Sequence, residues 1–339
     1  MKHIFYVHSY VTYLVVLGVV EHERISDDDV FLIMARGAVN QTRFASMDIN
    51  EKYPSLFGVP CYGKNLFYIK HYRSIKAFDK EIRDICCNYT YICYIPSDSH
   101  FFQQLLSSHS KCVKINFLEE GLFSYNDEFR KKKWPFNGLK GIIKRYLYTG
   151  NRNHNPLSIV SSATLYTLFS IDNYKGPLSK KCVMPNLQEI KYDGIKLRNA
   201  NVLMMNAFKD ASSIVISNLL SVIEHFAKDK KAKNEKVYIK HHPYSDNIFR
   251  EEVESIFIRH GVEHEVLSNR LNTELMLFNS ENLSIYGFFS AAMLYGALMG
   301  HTAISFVDLF KSTSKECEDY LINKFHIPSI FLNNSQNYY

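Results

Sequence analysis

A short apolar segment followed by two histidines and a proline reads Val237-Tyr238-Ile239-Lys240-His241-His242-Pro243. The apolar residues predict a buried strand, and a residue that precedes proline is restricted to extended backbone, so we expect the strand to end at His242. Ligands of α/β folds bind outside the carboxyl ends of such strands. The segment therefore predicts an α/β domain with an imidazole at its binding edge.

A second strand-like run, in the first half of the chain, also ends in groups that can do chemistry. The run from Val113 to Phe117 is followed by Leu118-Glu119-Glu120-Gly121. A carboxylate there can remove a proton from a bound hydroxyl, and glycine allows a tight turn and close approach of a ligand. Paired acids also occur as helix caps and surface charges. Taken with the histidines, the motif predicts a general base on one domain. On the other domain it predicts a group that acts as an acid or binds an anion.

Short apolar runs alternate with helical patterns along the chain, which is typical of parallel sheets. In the first half we predict strands at 2–7, 29–34, 65–69, 89–95 and 113–117, and helices at 10–20, 75–86 and 100–108. A loop-like region follows at 150–198. In the second half we predict strands at 202–205, 237–240, 262–267, 283–286 and 302–306. The helix before the second of these has its predicted apolar face at Ile216, Leu219, Leu220, Ile223 and Ala227.

The length of 339 residues fits two domains of about 150 residues each. We therefore predict an α/β fold of the GT-B class, in which two Rossmann-like domains face a central cleft. The predicted domains are residues 1–185 and 186–339. Ligands are expected in the cleft.

The composition indicates a compactly folded chain, with 46% hydrophobic and 22% charged residues. Seven cysteines, including the adjacent pair Cys86-Cys87, form no CxxC pattern and no spaced Cys/His set. We therefore expect neither a disulfide framework nor a zinc site, and a cytoplasmic location. The apolar N-terminal stretch is interrupted at His8 and Ser9 and lacks a small-residue cleavage site, which disfavours a signal peptide. No apolar run is long enough to span a membrane.

Positive charge is concentrated in residues 129–152, which contain no acidic residue. Aromatic and aliphatic residues lie between the basic ones. The basic residues are Arg130, Lys131, Lys132, Lys133, Lys140, Lys144, Arg145 and Arg152. Such a segment suits peripheral contact with an anionic inner membrane or with an anionic glycan. A solvated loop and helix is the alternative. Nucleic acid is not expected, because no nucleic-acid-binding motif accompanies the patch.

A third motif, Gly287-Phe288-Phe289-Ser290-Ala291, lies between a predicted strand and a predicted helix. Ser290 would stand at the helix N-terminus, where free backbone N–H groups favour a phosphate, although serine is also an ordinary N-cap. His242 likewise has two interpretations, because it could either stabilise a departing phosphate or only hydrogen-bond a loop. His241 points to the opposite side of the strand and is expected to be structural.

The three motifs, in this order and spacing, resemble those of the bacterial sialyltransferases and polysialyltransferases. The resemblance rests on Glu119-Glu120-Gly121, Lys240-His241-His242-Pro243 and Phe289-Ser290-Ala291, and it extends from the first strand to the helix after Ser290. It implies a GT-B fold, a CMP-N-acetylneuraminic acid donor, no metal or other cofactor, and inversion at the anomeric carbon. The implied acceptor is a glycan, such as a galactose-terminated surface polysaccharide.

The resemblance also implies roles for individual residues. Glu120 would be the base on the acceptor hydroxyl, with Glu119 as the alternative, and His242 would assist departure of the phosphate. Ser290 would hold that phosphate and Glu274 would bind the cytidine ribose. The remaining implied residues are Lys240, Pro243, Gly287 and Ala291 on the CMP-sugar side, and His8, Ser9 and Gly121 on the acceptor side.

One position departs from the family pattern, because the third motif usually carries two adjacent hydroxyl residues and here Ala291 follows Ser290. A transferase for another CMP-nonulosonate or for Kdo is therefore an alternative. Two further alternatives are an isomerase of the UDP-sugar 2-epimerase type and a non-catalytic glycan-binding protein. Asp27-Asp28-Asp29 fits the DxD pattern of metal-dependent glycosyltransferases, but it lies in a predicted polar turn, and a metal site is not expected there.

Overall fold

A computed structural model describes residues 1–37, 42–56, 67–97, 100–125, 162–170, 178–208, 211–324, 327 and 329–338. The chain divides into two compact units, Met1–Glu189 and Ile190–Tyr339. The sequence places the boundary between residues 185 and 186. Within the described residues, each unit contains one parallel sheet.

The first unit is built on a sheet of seven parallel strands in the order β3-β2-β1-β4-β5-β6-β7. Its strands are β1 (Lys2–Val7), β2 (Val30–Met34), β3 (Ala45–Asp48), β4 (Tyr91–Ile95), β5 (Cys112–Leu118), β6 (Thr164–Thr167) and β7 (Ser179–Cys182). Its described helices are α1 (Tyr10–His22), α2 (Ile49–Lys52), α3 (Phe67–Ile85) and α4 (Phe101–Ser107).

Helix α1 lies in the core of this unit. Every residue from Val11 to Val20 is buried, and its sequence is apolar on all sides. A helix without a polar face is stable only when protein covers it on all sides. The apolar N-terminal stretch of the sequence therefore forms β1 and α1.

The second unit is built on a sheet of six parallel strands in the order β10-β9-β8-β11-β12-β13. Its strands are β8 (Asn201–Met204), β9 (Val237–Lys240), β10 (His264–Val266), β11 (Ser284–Gly287), β12 (Thr302–Ser305) and β13 (Gln336–Asn337). Its described helices are α5 (Ser213–Ala232), α6 (Asn247–Arg259), α7 (Thr273–Phe278), α8 (Ala291–Leu298), α9 (Val307–Thr313), α10 (Lys315–Lys324) and α11 (Ser329–Asn334).

Both sheets follow the strand order of a Rossmann fold. Numbered within each unit, the first six strands run 3-2-1-4-5-6, so the order reverses beside the first strand. Right-handed crossovers on both sides of that reversal place helices on both faces of a sheet. The predicted α/β chain with two Rossmann-like domains is confirmed. The reversal points lie between β1 and β4 in the first unit and between β8 and β11 in the second.

Three details of the prediction are wrong. The strand predicted at 65–69 is not formed, because α3 begins at Phe67 and continues to Ile85. A short apolar run next to a helical repeat cannot be assigned by periodicity alone. The loop-like region at 150–198 contains β6 and β7, and β7 is a mostly exposed strand at the edge of the sheet, with the polar sequence Ser-Lys-Lys-Cys.

The third error concerns the apolar face of α5. Leu219, Ile223 and Ala227 are buried as predicted, but Ile216 and Leu220 are only partly buried. The face is completed by Val215, Val222 and Phe226 instead.

The basic segment at 129–152 lies outside the described residues. Among the helices of the described ranges, none combines the length and apolar character needed to cross a bilayer.

Candidate functional site

In the first unit, the ends of β1 and β5 bring an imidazole close to a carboxylate. His8 follows β1 and Glu120 follows β5, with β4 between the two strands. The Nε2 atom of His8 lies 3.7 Å from Oε2 of Glu120, and the two side chains are 12% and 16% exposed. Because β1 borders the reversal of the strand order, this pair occupies the edge where Rossmann-like domains bind ligands.

The His8 imidazole is neutral in its folded environment. Burial, with smaller contributions from the neighbouring charges of Arg36 and His100, lowers its pKa to about 4. Its Nδ1 atom is buried and has no hydrogen-bond partner within the described ranges. A neutral His8 does not neutralise the Glu120 carboxylate as a cation would, so the pair is a polar contact and not an ion pair.

The two adjacent acids have different environments. Glu119 is fully buried, and its Oε2 accepts a hydrogen bond from the Leu168 backbone N–H at 2.7 Å, just after β6. Glu120 is partly exposed, and its backbone N–H donates to Oγ of Ser124 at 2.8 Å. Glu119 therefore fastens the β5 end to the β6 end, whereas Glu120 reaches the solvent side of the edge.

Gly121 and Ser9 shape the backbone beside these acids. Gly121 is buried and has a φ of 108°, which side chains with a Cβ atom rarely adopt. The turn after Glu120 therefore requires glycine. Ser9 is the N-cap of α1, and its Oγ accepts from the Thr12 N–H at 3.2 Å and lies 2.8 Å from the Thr12 hydroxyl. The geometry of Ser9 is that of a helix cap at the ligand edge.

In the second unit, three neighbouring strands present the other two motifs at one edge. Lys240 on β9, Met204 on β8 and Gly287 on β11 are in register across the sheet. His242 follows β9 and Ser290 follows β11, so the two motif loops are separated only by the end of β8. Lys240, His242 and Ser290 therefore lie at a single sheet edge, next to the reversal of strand order.

The His242 side chain is fixed by its own turn. Its Nδ1 accepts the backbone N–H of Tyr244 at 3.1 Å, and its carbonyl accepts the backbone N–H of Ser245 at 3.0 Å. A nitrogen that accepts a hydrogen bond from an N–H group carries no proton of its own, so the neutral ring has its proton on Nε2. His242 is partly exposed, and Pro243 after it is exposed.

His241 points to the other side of the strand, as predicted for alternating side chains. It is 2% exposed, and its Nε2 lies 3.0 Å from Oε1 of Glu254 on α6. Its contacts are with the helix, which is consistent with a structural role.

Lys240 and Glu274 lie near enough for the charge of each to act on the other. Lys240 is 5% exposed, and its Nζ donates to the His241 carbonyl at 3.3 Å. Burial lowers the pKa of Lys240, and the charge of Glu274 opposes that shift. Burial of the carboxyl raises the pKa of Glu274, whereas its own backbone N–H and the Lys240 charge lower it. Glu274 lies in the first turn of α7, which is capped by Asn272.

The third motif forms a tight connection from β11 into α8. Ser290 is the N-cap of α8, and its Oγ accepts the Met293 N–H at 3.1 Å. Ala291 is the first residue of the helix. A Cβ atom on Gly287 would lie 2.6 Å from the Met204 carbonyl oxygen, so this strand end requires glycine. The Ser290 hydroxyl accepts a bond from the helix and still has a proton to donate.

Sequence reasoning missed two residues of this edge, Asn206 and Arg250. Asn206 follows β8, and its side-chain N–H donates to the Phe289 carbonyl, while its backbone carbonyl accepts from Oγ of Ser245 at 3.4 Å. It thereby links the His242 turn to the Ser290 turn. Arg250 on α6 donates to two carbonyls of the His242 turn. Neither residue belongs to a recognisable local motif, although an asparagine directly after a predicted strand was a usable signal.

The DxD-like segment Asp27–Asp29 forms a short 3-10 turn before β2. Asp27 pairs with Nε of Arg43 at 3.0 Å, and Asp29 lies 3.7 Å from Nζ of Lys2. Two of its three carboxylates therefore have cationic protein partners. In the ranges that the structure covers, no three acidic, histidine or cysteine side chains converge as metal ligands.

The sequence model of the alpha-2,8-polysialyltransferase family matches residues 3–307 of the chain. The chain belongs to this family. The family match includes all three motifs, and it confirms the resemblance inferred from them. As a family member the chain is a sialyltransferase, a glycosyltransferase that uses a nucleotide-sugar donor and a glycan acceptor. No curated protein matches the sequence.

Several solved structures are similar to this family member at low sequence identity. A sialyltransferase from Photobacterium damsela has 11% identity and a TM-score of 0.48, covering 100% of this chain and 82% of its own. A UDP-GlcNAc 2-epimerase from Methanocaldococcus jannaschii has 9% identity and a TM-score of 0.47, with coverages of 98% and 91%. A glycosyltransferase from Rickettsia africae has 12% identity and a TM-score of 0.44, with coverages of 90% and 79%.

Proposed function

We propose that the chain transfers N-acetylneuraminic acid from CMP-N-acetylneuraminic acid to a hydroxyl of a glycan acceptor, with inversion and without a metal ion. The observation that carries this proposal, beyond family membership, is the fixed tautomer of His242. Because Tyr244 donates to Nδ1, the neutral ring offers an N–H at Nε2. A donor of this kind suits a leaving phosphate, which gains negative charge in the transition state.

The residues around His242 suit an anionic leaving group. Lys240 adds a positive charge of limited solvent access in the same strand end, and Ser290 offers its hydroxyl proton at the N-terminus of α8. Helix N-termini favour phosphate because their first backbone N–H groups have no partner within the helix. These groups would stabilise the departing CMP without help from a divalent cation.

Glu274 would bind the ribose of the donor. Glu274 is partly buried in the first turn of α7, and its carboxyl interacts with the Lys240 charge. A carboxyl placed in this way can accept hydrogen bonds from two sugar hydroxyls. Its interaction with Lys240 would connect the ribose contact to the strand end that carries His242.

Glu120 would be the general base on the acceptor. It is the more exposed of the two motif acids, and its neighbour His8 is neutral, so the carboxylate keeps its ability to take a proton. Glu119 is already engaged by the Leu168 N–H. With a base on the acceptor and separate donors on the leaving group, transfer would occur in one displacement, which inverts the anomeric carbon.

We further propose that the chain acts in the cytoplasm, with residues 129–152 as a peripheral contact to the anionic inner membrane. The proposal rests on the cysteine usage and on the charge of that segment. Replacing Lys131, Lys132 and Lys133 with alanine should weaken sedimentation with anionic vesicles. Unchanged sedimentation would refute the membrane contact.

The proposed reaction is tested by incubating the protein with EDTA, one donor and one acceptor. The donors are CMP-N-acetylneuraminic acid and CMP-Kdo, and the acceptors end in sialic acid, as the family name suggests, or in galactose. We expect an adduct one sialic acid heavier than the acceptor, with the anomeric configuration opposite to that of the donor by NMR. Transfer only from CMP-Kdo, loss of transfer in EDTA, or a retained configuration would each contradict the proposal.

A further inference from the structure

The side chain of Arg250, which lies outside the His242 turn, contacts the backbone of that turn. Its Nη2 atom donates to the His242 carbonyl at 3.1 Å and to the Pro243 carbonyl at 2.9 Å. The His242 carbonyl also accepts the Ser245 N–H at 3.0 Å. A single guanidinium nitrogen thus bridges the two residues of the His-Pro motif from helix α6.

The position of Arg250 is not explained by the stability of its helix. Arg250 lies in the first turn of α6, whose N-cap is Asp246. A positive charge near a helix N-terminus is unfavourable, because the helix dipole is positive there. The two hydrogen bonds that Arg250 makes outside the helix can offset that cost.

The Arg250 side chain is only partly buried, and its charge is not paired with an acidic residue within the described ranges. Its Nε atom is buried without a hydrogen-bond partner, and no carboxylate among the described residues lies within ion-pair distance of it. Its charge is close enough to lower the pKa of Lys240, in addition to the larger effect of burial. The hydrogen-bond partners of Arg250 are therefore the two motif carbonyls, and its charge adds to that of Lys240.

We propose that Arg250 is a positioning residue that holds the His242 imidazole in the orientation required for CMP departure. This inference rests on the proposed role of His242. Arginine suits the task because the planar guanidinium fixes the directions of the two N–H bonds of Nη2, whereas the ammonium of lysine sits on a flexible stem and can rotate. A displacement of about 1 Å in a catalytic group can reduce turnover by about a hundredfold.

A double-mutant cycle tests this role. The variants are Arg250→Met, Arg250→Lys, His242→Ala and the double variant Arg250→Met with His242→Ala. The matched control is Arg259→Met, which makes the same substitution at the exposed end of α6. The measurements are kcat and KM for the CMP-sugar donor, and the melting temperature.

We expect Arg250→Met to lower kcat by about tenfold to a hundredfold, with a much smaller change in KM. Arg250→Lys should recover part of that loss, and Arg259→Met should behave as wild type. In the His242→Ala background, Arg250→Met should cause no further loss of kcat, because a positioning residue has no effect when the positioned ring is absent. A residue with a purely structural role would lower the melting temperature and leave kcat per folded molecule unchanged.

Three outcomes would overturn the inference. Wild-type turnover in Arg250→Met, with a loss in His242→Ala, would refute the positioning role alone and leave the proposed function standing. Losses that multiply in the double variant would show that Arg250 acts independently of His242. Full turnover in His242→Ala would refute the proposed role of His242 and the inference with it. If Arg250→Met does not fold, the same cycle is run with Arg250→Lys.

Discussion

Nε2 of His8 and Oε2 of Glu120 lie 3.7 Å apart, although β4 separates the strands that carry them. Burial is the main reason that His8 is neutral, followed by the charges of Arg36 and His100. A neutral imidazole can orient a carboxylate and still leave that carboxylate able to accept a proton. The relationship supports Glu120 as a base and also makes a prediction about stability.

The first prediction is that His8 makes the folded chain sensitive to mild acid. Its pKa falls from 6.5 to about 4 on folding, so the unfolded chain binds the proton more tightly in that interval. Stability linked to His8 is therefore complete above pH 6.5 and is lost as the pH falls toward 4, by about 2 kcal/mol at pH 5. His8→Asn should flatten the decrease in melting temperature between pH 7.5 and pH 5.

The control for this prediction is His22→Asn, at the other end of the first βα unit. The His22 side chain is 49% exposed, so this variant removes a histidine without removing a buried one. Equal pH dependence in wild type and His8→Asn would show that His8 keeps an ordinary pKa and would remove the argument for a neutral partner of Glu120.

The second prediction separates the two motif acids. Glu119→Ala leaves the Leu168 N–H without its buried carboxylate acceptor, which should cost about 1–3 kcal/mol. Turnover per folded molecule should change little, because Glu119 is engaged in holding the β6 end. Thermal melting together with kcat checks this expectation. Loss of turnover at a normal melting temperature would instead identify Glu119 as the base.

The third prediction concerns Ser290, which is both a helix cap and a proposed phosphate ligand. Aspartate caps helices as well as serine does, but its carboxylate would repel a phosphate. Ser290→Asp should therefore keep the melting temperature and reduce transfer by at least about a hundredfold. Full activity in Ser290→Asp would show that Ser290 only caps the helix and does not bind the phosphate.

A matched comparison for Ser290 is Ser212, the N-cap of α5, whose Oγ accepts the Val215 N–H at 3.2 Å. Ser212→Ala and Ser290→Ala remove the same kind of cap, each worth about 1 kcal/mol. Only Ser290→Ala should also raise KM for the donor or lower kcat. Equal kinetic behaviour of the two variants would mean that Ser290 contributes through the helix alone.

The sequence predicted most of the fold because the inner strands have simple signals. Strand β9 is found at Val237–Lys240, where an apolar run ends at a His-Pro dipeptide. Edge strands lack that signal, since β7 is polar and mostly exposed and therefore resembles a loop in sequence. The apolar face of α5 was misplaced because several registers of an apolar-rich helix satisfy the same spacing, and only packing on the sheet selects Phe226.

The sequence located the three motifs at strand ends because they directly follow strands or begin helices. Arg250 and Asn206 were not found, because their importance depends on carbonyl groups brought close by folding. A hydrogen bond to a main-chain carbonyl leaves no trace in the acceptor's side chain. Residues that support a motif in this way can therefore be recognised only from the folded backbone.

The most direct test of the central claim is turnover of Glu120→Gln and His242→Ala with CMP-N-acetylneuraminic acid and an acceptor. The amide of glutamine cannot take the acceptor proton, and alanine cannot donate to the leaving phosphate, so kcat should fall at least about a hundredfold in each variant. The melting temperatures should stay within a few degrees of wild type. Wild-type kcat in both variants, with normal melting, would contradict the account.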